Sequence, residues 1–528
     1  MNGMPEDALN RIRQQGLGDV LRRTALRVPD KVGIICGDIE WTYAEFDRIC
    51  TRLADSLHAQ GVRFSDRVAI LSRNSHAFAA MRFALARMGA VIVPVNFMLN
   101  ADEVAFILKS AGARTLLVGA GFEALGAEAA GKGTDIERLF WLPGENEEGR
   151  APQGMTSFDD LLAADVPAAP IPAFDARSLL QLIYTSGTES LPKGAMLSHE
   201  AVLWEYVTCI VDGSMAAGDV LLHALPLYHC AQLDVFLGPG VYLGTTNVIT
   251  GQPKPDVILP LIERHRVNSF FAPPSVWIAL LRSPLFERTH LDSLEKGYYG
   301  ASIMPVEVLK EMQVRMPRVR LWNFYGQTEI APLATVLYPE DQMRKAGSAG
   351  KPALNVETRV VDDDMREVGP GEIGEIVHRS PQLLGGYYND PERTAAAFRG
   401  GWFHSGDLAV RDEEGYITVV DRKKDMIKSG GENVASREVE EMIFRMPAVS
   451  EVAVIGLPDP YWVEAVTAVI VLREGQAATE EDVIAFCKAG MAHFKVPKRV
   501  IFADALPKNP SGKLLKRELR RRYEPGGQ

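Results

Sequence analysis

The stretch Leu179–Gly194, LLQLIYTSGTESLPKG, decides how this chain is read. Its first residues are apolar and predict a buried strand. The strand then breaks into a loop of Gly, Ser, Thr and Lys, a composition that suits a polyanion. Small residues let backbone N–H groups close on phosphate oxygens, hydroxyls add donors, and a lysine adds a mobile positive charge. The spacing is not that of the P-loop, which needs Gly, four residues, then Gly-Lys-Ser/Thr at the start of a helix. Here Gly187 is followed by Thr188, Glu189, Ser190, Leu191, Pro192, Lys193 and Gly194. Pro192 argues against a helix running through the lysine. The loop therefore points to a nucleotide user outside the P-loop class.

Around this loop the chain alternates between strand and helix patterns. Thr42–Gln60 opens on an N-cap candidate and carries apolar residues at helical spacing. Arg67–Leu71 reads as a strand, Ala77–Met88 as a helix, Ala90–Val95 as a strand, Ala101–Ser110 as a helix and Thr115–Val118 as a strand. Such alternation favours a parallel α/β sheet. Pro143–Pro152 and Ala163–Pro172 read as linkers. Further apolar strands recur at Val220–Leu225, Thr246–Thr250, Ser269–Ala272, Lys296–Tyr299 and Arg320–Asn323, which suggests a second sheet unit. Asn355–Val377 is strand-rich with a Gly-Pro-Gly turn, the mark of a small β subdomain. After Asp421 a charged segment leads into Val452–Ile455, Ala465–Leu472 and Glu480–Cys487, read as a compact α+β domain. The expected division is 1–421 and 422–528.

At 528 residues the chain has room for about three to four domain-sized units. Its composition is that of a soluble globular protein. A formal net charge of −11 leaves no basic surplus for a nucleic-acid partner. The exception is the basic C-terminal run of Lys513, Lys516, Arg517, Arg520, Arg521 and Arg522, read as a solvated helix end. Five scattered cysteines with no CxxC pair support neither a disulfide framework nor a zinc site, and fit a reducing cytoplasm. No apolar signal core opens the chain, and no run of about 18 apolar residues predicts a transmembrane segment.

Three further segments offer parts of a nucleotide site. Asn323-Phe324-Tyr325-Gly326-Gln327-Thr328-Glu329 supplies an aromatic face for a base, a hydroxyl for a phosphate and a carboxylate for magnesium. Gly401-Trp402-Phe403-His404-Ser405-Gly406-Asp407 places an acid that could accept from both ribose hydroxyls. Asn509-Pro510-Ser511-Gly512-Lys513 puts a lysine at a loop tip, where it could stabilise developing charge. Taken singly, each could be an ordinary surface turn.

Together, YTSGT with PKG, NFYGQTE, WFHSGD, DRKKDMIKSGGENV and NPSGK, in this order, resemble the adenylate-forming superfamily. That superfamily includes acyl-CoA synthetases, nonribosomal adenylation domains and firefly luciferase. The resemblance is closest to acyl-CoA synthetases and spans about Trp41–Tyr523. It implies an α/β fold: a large N-terminal domain of two sheet units plus a β subdomain, and a small mobile C-terminal domain. It implies an ATP-, Mg2+- and CoA-dependent ligase. Thr185, Ser186, Gly187, Thr188 and Lys193 match the phosphate loop. Gly300, Ala301 and Ser302 match the strand end against adenine, and Tyr325, with Gly326 beside it, the stacking aromatic. Thr328 matches the α-phosphate contact, Glu329 the magnesium ligand, and Asp407 with Arg422 the ribose pair. Lys513 matches the lysine needed for adenylation, so Lys513, Thr185, Glu329 and Lys193 stand as the catalytic set. Lys424 matches the hinge, and with Lys428, Gly430 and Gly431 it marks the CoA side. His229 matches the acyl-pocket gate, with Cys230, Asp234, Tyr299, Gly326 and Ala331 as further lining.

The chain departs from the pattern in two places. Glu189 and Ser190 stand where the loop has a hydroxyl residue and a glycine, and Val463 stands where a glycine is usual. Glu189 is expected to turn from the phosphates, so that Glu189→Thr leaves turnover within about tenfold. The acyl segments are mostly apolar, without Arg or Lys, which excludes a dicarboxylate. They favour a medium- or long-chain or aryl acid. Asp234 is either a structural acid or a contact for an amino-bearing substrate. A polar-acid ligase, a weakened acyl or nucleotide binder, a carrier-protein partner and a luciferase-like oxidase are the rivals. No carrier segment is read after Tyr523, and a homodimer is left open.

Overall fold

The computed structural model describes residues 12–13, 15–146, 150–170, 175–185, 192–302, 304–423, 425–508 and 514–524. Three sheets build the part of the molecule before Arg422. The first is seven-stranded, in the order Thr156–Ser157, Arg138–Leu142, Thr115–Gly119, Arg67–Leu71, Val91–Val95, Leu179–Thr185 and Lys193–Ser198. All neighbours are parallel except the last pair, where Lys193 comes back opposite Thr185. The chain thus returns from the phosphate loop as a strand, not a helix, as Pro192 led us to expect. Central strands such as VIVPV and TLLVG are buried along their whole length, because helices cover both faces of a parallel sheet. Tyr43–Ala59 is one such helix. Thr42 Oγ1 accepts from Glu45 N at 3.2 Å and Glu45 Oε2 accepts from Thr42 N at 2.8 Å, closing a capping box that fixes its start.

The second sheet has nine strands: Lys351–Pro352, Leu333–Leu337, Arg320–Gly326, Lys296–Gly300, Ser269–Phe271, Val220–His223, Thr246–Ile249, Val32–Cys36 and Ile39–Thr42. Its interior is parallel and its edge pairs are antiparallel. The sequence pattern did not reveal that the N-terminal hairpin Val32–Thr42 belongs here, about 200 residues before its neighbour in the sheet. A four-stranded antiparallel sheet follows, Glu357–Val361, Ile373–Arg379, Phe403–Arg411 and Ile417–Arg422.

Beyond Arg422 a separate α+β unit has its own apolar core around Val439, Ile443, Val454, Val466 and Ile470. Its sheet pairs Glu432–Val434, Ile427–Ser429, Val463–Leu472 and Val449–Asp459, with Arg499–Phe502 added to Val463–Leu472. Its junction is held by Asp421, whose Oδ2 accepts from both the N–H and the hydroxyl of Ser436 at 2.7 and 2.6 Å. The basic C-terminal helix, Lys516–Tyr523, is less solvated than its composition suggested. Lys516 pairs with Glu440 at 2.7 Å and Arg520 with Asp425 at 2.8 Å. All five cysteines are buried and free. No helix among the described residues is long and apolar enough to cross a membrane.

Candidate active site

The end of strand Leu179–Thr185 and the start of Lys193–Ser198 bring Thr185 and Lys193 together. The chain segment at Leu384–Tyr388 lies along the second of these strands. Gly385 N donates to Met196 O at 2.9 Å, Met196 N to Gly386 O at 3.0 Å and Tyr388 N to Gly194 O at 2.8 Å. That alignment carries Tyr387 to Lys193. Lys193 Nζ donates to the Tyr387 hydroxyl at 2.7 Å, and that hydroxyl donates to Glu329 Oε1 at 2.9 Å. Lys193 and Glu329 themselves stand 3.5 Å apart. Burial and the Glu329 carboxylate push the Tyr387 hydroxyl up, so it stays protonated as the donor to Glu329. Sequence reasoning missed Tyr387. Only the turn-like GGYYND marked it, and nothing in its spacing tied it to Lys193.

Glu329 is only 6% exposed. The segment NFYGQTE was open to reading as a surface turn, but its strand runs on to Gly326 and a 3₁₀ turn, Thr328–Ile330, follows. The chain packs so closely there that a Cβ on Gly326 would lie 1.8 Å from Pro332 O. Two buried polar atoms in this neighbourhood, Thr185 Oγ1 and Gln327 Nε2, have no hydrogen-bond partner among the described residues. Such atoms are expected where a polar ligand completes the site.

A second cluster forms where the antiparallel sheet meets Tyr325. Asp407 and Arg422 are cross-strand partners, with Arg422 Nε 3.2 Å from Asp407 Oδ1. Tyr325 donates to Asp407 Oδ2 at 2.7 Å. Burial, with the facing carboxylate adding to it, pushes this hydroxyl up. Arg437, from the C-terminal unit, reaches the same neighbourhood and donates to Val419 O at 3.0 Å. Sequence reading did not single it out.

The acid side lies next to these groups. A narrow cleft with a free volume of about 10 Å³ is lined by Leu225, Pro226, His229, Ala231, Gln232, Phe271 and Ala301. Ala301 sits at φ +63°, just past the strand end at Gly300, where a Cβ would stand 2.3 Å from Phe324 O. Ser302 is exposed beside it. His229 caps the short helix Cys230–Gln232, its Nδ1 accepting from Ala231 N at 3.2 Å. Cys230, expected in the acyl lining, is buried beside the cleft and not along it, with its Sγ 3.2 Å from Thr328 Oγ1.

Asp234 requires a correction. It was open to reading as a contact for an amino-bearing substrate, but it is fully buried in the π-helical turn Leu233–Leu237. Its Oδ1 pairs with Arg82 at 3.0 Å and its Oδ2 accepts from Gln181 at 2.7 Å. Both oxygens are engaged, and the residue acts as a structural acid. Tyr299 and Ala331 also lie in core rather than along the cleft. Tyr299 donates to Gln342 at 2.7 Å, and Ala331 packs among Leu180, Ile183 and Tyr387. Lys428 and Gly430 hydrogen-bond through their backbones to Glu464 and Trp462 in the C-terminal sheet, with Gly431 beside them. Ser186, Gly187, Thr188, Glu189, Ser190, Lys424 and Lys513 lie outside the described residues.

No cluster of three or more His, Cys, Asp or Glu suited to a metal occurs among the described residues. The donor set instead fits a magnesium ion that enters with the nucleotide: one buried carboxylate, Glu329, among groups suited to phosphate.

Known proteins resemble this chain along most of its length. The profile described as AMP-binding enzyme matches residues 21–388, and the AMP-binding enzyme C-terminal domain matches 438–513. A feruloyl-CoA synthase of Amycolatopsis sp is 38% identical over 97% of this chain and 100% of its own. A long-chain-fatty-acid–CoA ligase of Mycobacterium tuberculosis is 36% identical over 92% of this chain and 94% of its own. The crystal structure of the anthranilate CoA ligase AuaEII in complex with anthranoyl-AMP superposes with a TM-score of 0.89 at 26% identity, covering 97% of both chains. The chain belongs to the AMP-binding enzymes and is an AMP-forming acid–CoA ligase.

Proposed function

We propose that this ligase activates an apolar carboxylic acid ending in an aromatic ring. The observation that carries the reading is the cleft. Its lining is apolar apart from His229 and Gln232 and includes no Arg, Lys, Asp or Glu. Behind Phe271 stand Phe236 and Phe324, with Phe236 stacked on Phe271 at 4.7 Å and on Phe324 at 6.1 Å. Flat rings stacked beside the cleft favour an aromatic over an aliphatic partner, and the narrow cleft would widen to admit either. Feruloyl and anthranilate, named for two of the similar proteins, support an aromatic acid. The mycobacterial name keeps a chain acid as the outcome that would displace it.

A carboxylate is a poor electrophile, so it is first joined to AMP. Its oxygen attacks the α-phosphorus of ATP, pyrophosphate leaves, and CoA thiolate then displaces AMP from the acyl carbon. In this reading Thr185 and Lys193 hold phosphate oxygens, Thr328 the α-phosphate, Tyr325 the base and Asp407 the ribose hydroxyls. Glu329 would hold Mg2+, which when bound offsets the repulsion between the carboxylate and the phosphates. Lys513 supplies the complementary positive charge for adenylation. Residues 422–528 then turn about the Arg422–Lys424 junction, withdrawing Lys513 and presenting Gly430 and Gly431 to CoA.

The test is pyrophosphate release with ATP, magnesium and CoA across acids from acetate through palmitate to benzoates and cinnamates, with Lys513→Ala as control. Release that requires an aryl acid and is lost in the variant is expected. Turnover confined to amino acids, small hydroxy acids or long chains would sink the reading.

A further inference from the structure

The helix His199–Asp212 has an inverted polarity. Glu205, Thr208 and Asp212 are buried, while Trp204 and Val211 are 41% and 53% exposed. An amphipathic helix places these residue types the other way round, and a carboxyl costs free energy to bury unless its oxygens are met. Glu205 is fully buried, and donors meet both of its oxygens. Oε1 accepts from Leu333 N at 2.9 Å and from Cys209 Sγ at 3.1 Å. Oε2 accepts from Gln382 Nε2. That amide is itself oriented. The Leu333 carbonyl can only accept, so the NH2 faces it at 3.1 Å, with Ile330 O 3.4 Å away, and Oε1 accepts from the Thr208 hydroxyl at 2.6 Å. Glu205 and Gln382 therefore grip Leu333 at both its N–H and its carbonyl. Leu333 follows the turn that opens with Thr328 and Glu329. The turn is bonded across itself, Gln327 N to Pro332 O at 3.0 Å and Ala331 N to Thr328 O at 3.1 Å. Two residues on from Gln382, Leu384 N donates to Glu329 O at 2.8 Å.

We propose that Glu205 is a positioning residue of the ligase, which with Gln382 fixes this turn so that the Glu329 carboxylate stands where a magnesium ion on the nucleotide phosphates would meet it. The inference rests on the proposed role of Glu329 and adds the device that sets its place. Glu205 lies behind the turn and acts through it. An apolar side chain of similar volume would fill the same space without the cost of burying a carboxyl, but it could not hold Leu333. Nor could glutamine. Both oxygens of Glu205 face N–H donors, so one end of an amide there would set N–H against N–H. A turn released at Leu333 is still tied by Leu384 and Tyr387, so it loosens rather than unfolds. A loosened ligand matters most to magnesium, which demands near-ideal octahedral geometry.

The experiment titrates ATP into the full chain by calorimetry, once with magnesium and once with a chelator in its place. The ratio of the two affinities is the magnesium gain. Glu205→Gln is expected to cut this gain about tenfold, while the affinity for ATP alone stays within about threefold. Glu329→Gln is expected to remove the gain, and adding Glu205→Gln to it should change nothing more, because both act through one contact. A merely structural Glu205 would give either an unchanged gain or a fall in both affinities together, and either result would overturn the proposal. A further loss in the double variant would overturn it too. Should Glu205→Gln fail to fold, Gln382→Met releases the Leu333 carbonyl while leaving Glu205 its other partners, and the same two affinities decide on the same terms. A gain that survives Glu329→Gln would instead bring down the magnesium reading of Glu329, and the proposal with it.

Discussion

The nucleotide side and the acid side of this site differ in how many polar groups they offer a ligand. On the nucleotide side charges are held in mutual contact, Lys193 with Tyr387 and Glu329, and Arg422 with Asp407 and Tyr325. Each of these charged groups has a partner that a phosphate, a magnesium ion or a ribose would replace, and Thr185 Oγ1 and Gln327 Nε2 stand beside them without a partner among the described residues. On the acid side the walls are apolar, and the two polar residues among them, His229 and Gln232, are bonded to Ala231 N and to His223. The first arrangement suits a ligand that every member of the family shares. The second suits the apolar part of a substrate, because a polar group brought there would find no partner.

The sharpest way to break this comparison lies beneath the acid wall. If Asp234 is structural, Asp234→Ala leaves Arg82 charged and unpaired in the interior. A loss of about 3–5 kcal/mol of stability is expected, read by denaturant unfolding. A variant of unchanged stability whose acid profile had shifted would return Asp234 to the substrate and give the acid side a charge. Next in size, Glu329→Gln should slow ATP–pyrophosphate exchange by about 10²–10³-fold. The KM for the acid should hold within about threefold, because no cleft residue contacts the lost charge. A large rise in that KM would show that the two sides are not separable.

The same contrast explains what the sequence could show. The residues proposed for the nucleotide sit in short contiguous motifs, each with chemistry of its own, so Thr185, Lys193, Tyr325, Glu329, Asp407 and Arg422 could be singled out before the fold brought them into two clusters. The two large sheets were legible too, because parallel strands buried on both faces leave apolar runs. The acid cleft is assembled from Leu225–Gln232, Phe271 and Ala301, which share no motif and meet only because their strand ends lie side by side. Asp234 looked like an outlier only because Arg82 is 152 positions away.

Tyr387→Phe tests the nucleotide side more finely. It removes the hydroxyl between Lys193 and Glu329 while keeping the ring that Lys193 Nζ overlies at 4.0 Å. One hydrogen bond to a charged group corresponds to about a tenfold fall in kcat/KM for ATP. The KM for the acid should not move. If it does, the tyrosine communicates with the acid wall, and the Cys230–Thr328 contact is the first route to examine.

The smallest expected effect concerns a residue that belongs to neither side. Val463 holds φ +69° at the start of its strand and is 67% exposed. A β-branched side chain in that region is strained, which gives a physical reason for the glycine usual there. Val463→Gly relieves the strain and gives up little burial, but it frees the unfolded chain. A net gain of about 0.5–1 kcal/mol is expected, measured as a raised denaturation midpoint at unchanged slope. Kinetic constants for ATP and the acid should stay as they are, since Val463 pairs with Ser429 and Asp459 in the C-terminal sheet. A change confined to the KM for CoA would put the strain to use: Ser429 adjoins Gly430 and Gly431, and the bent backbone at Val463 would then shape the hairpin offered to the thiol.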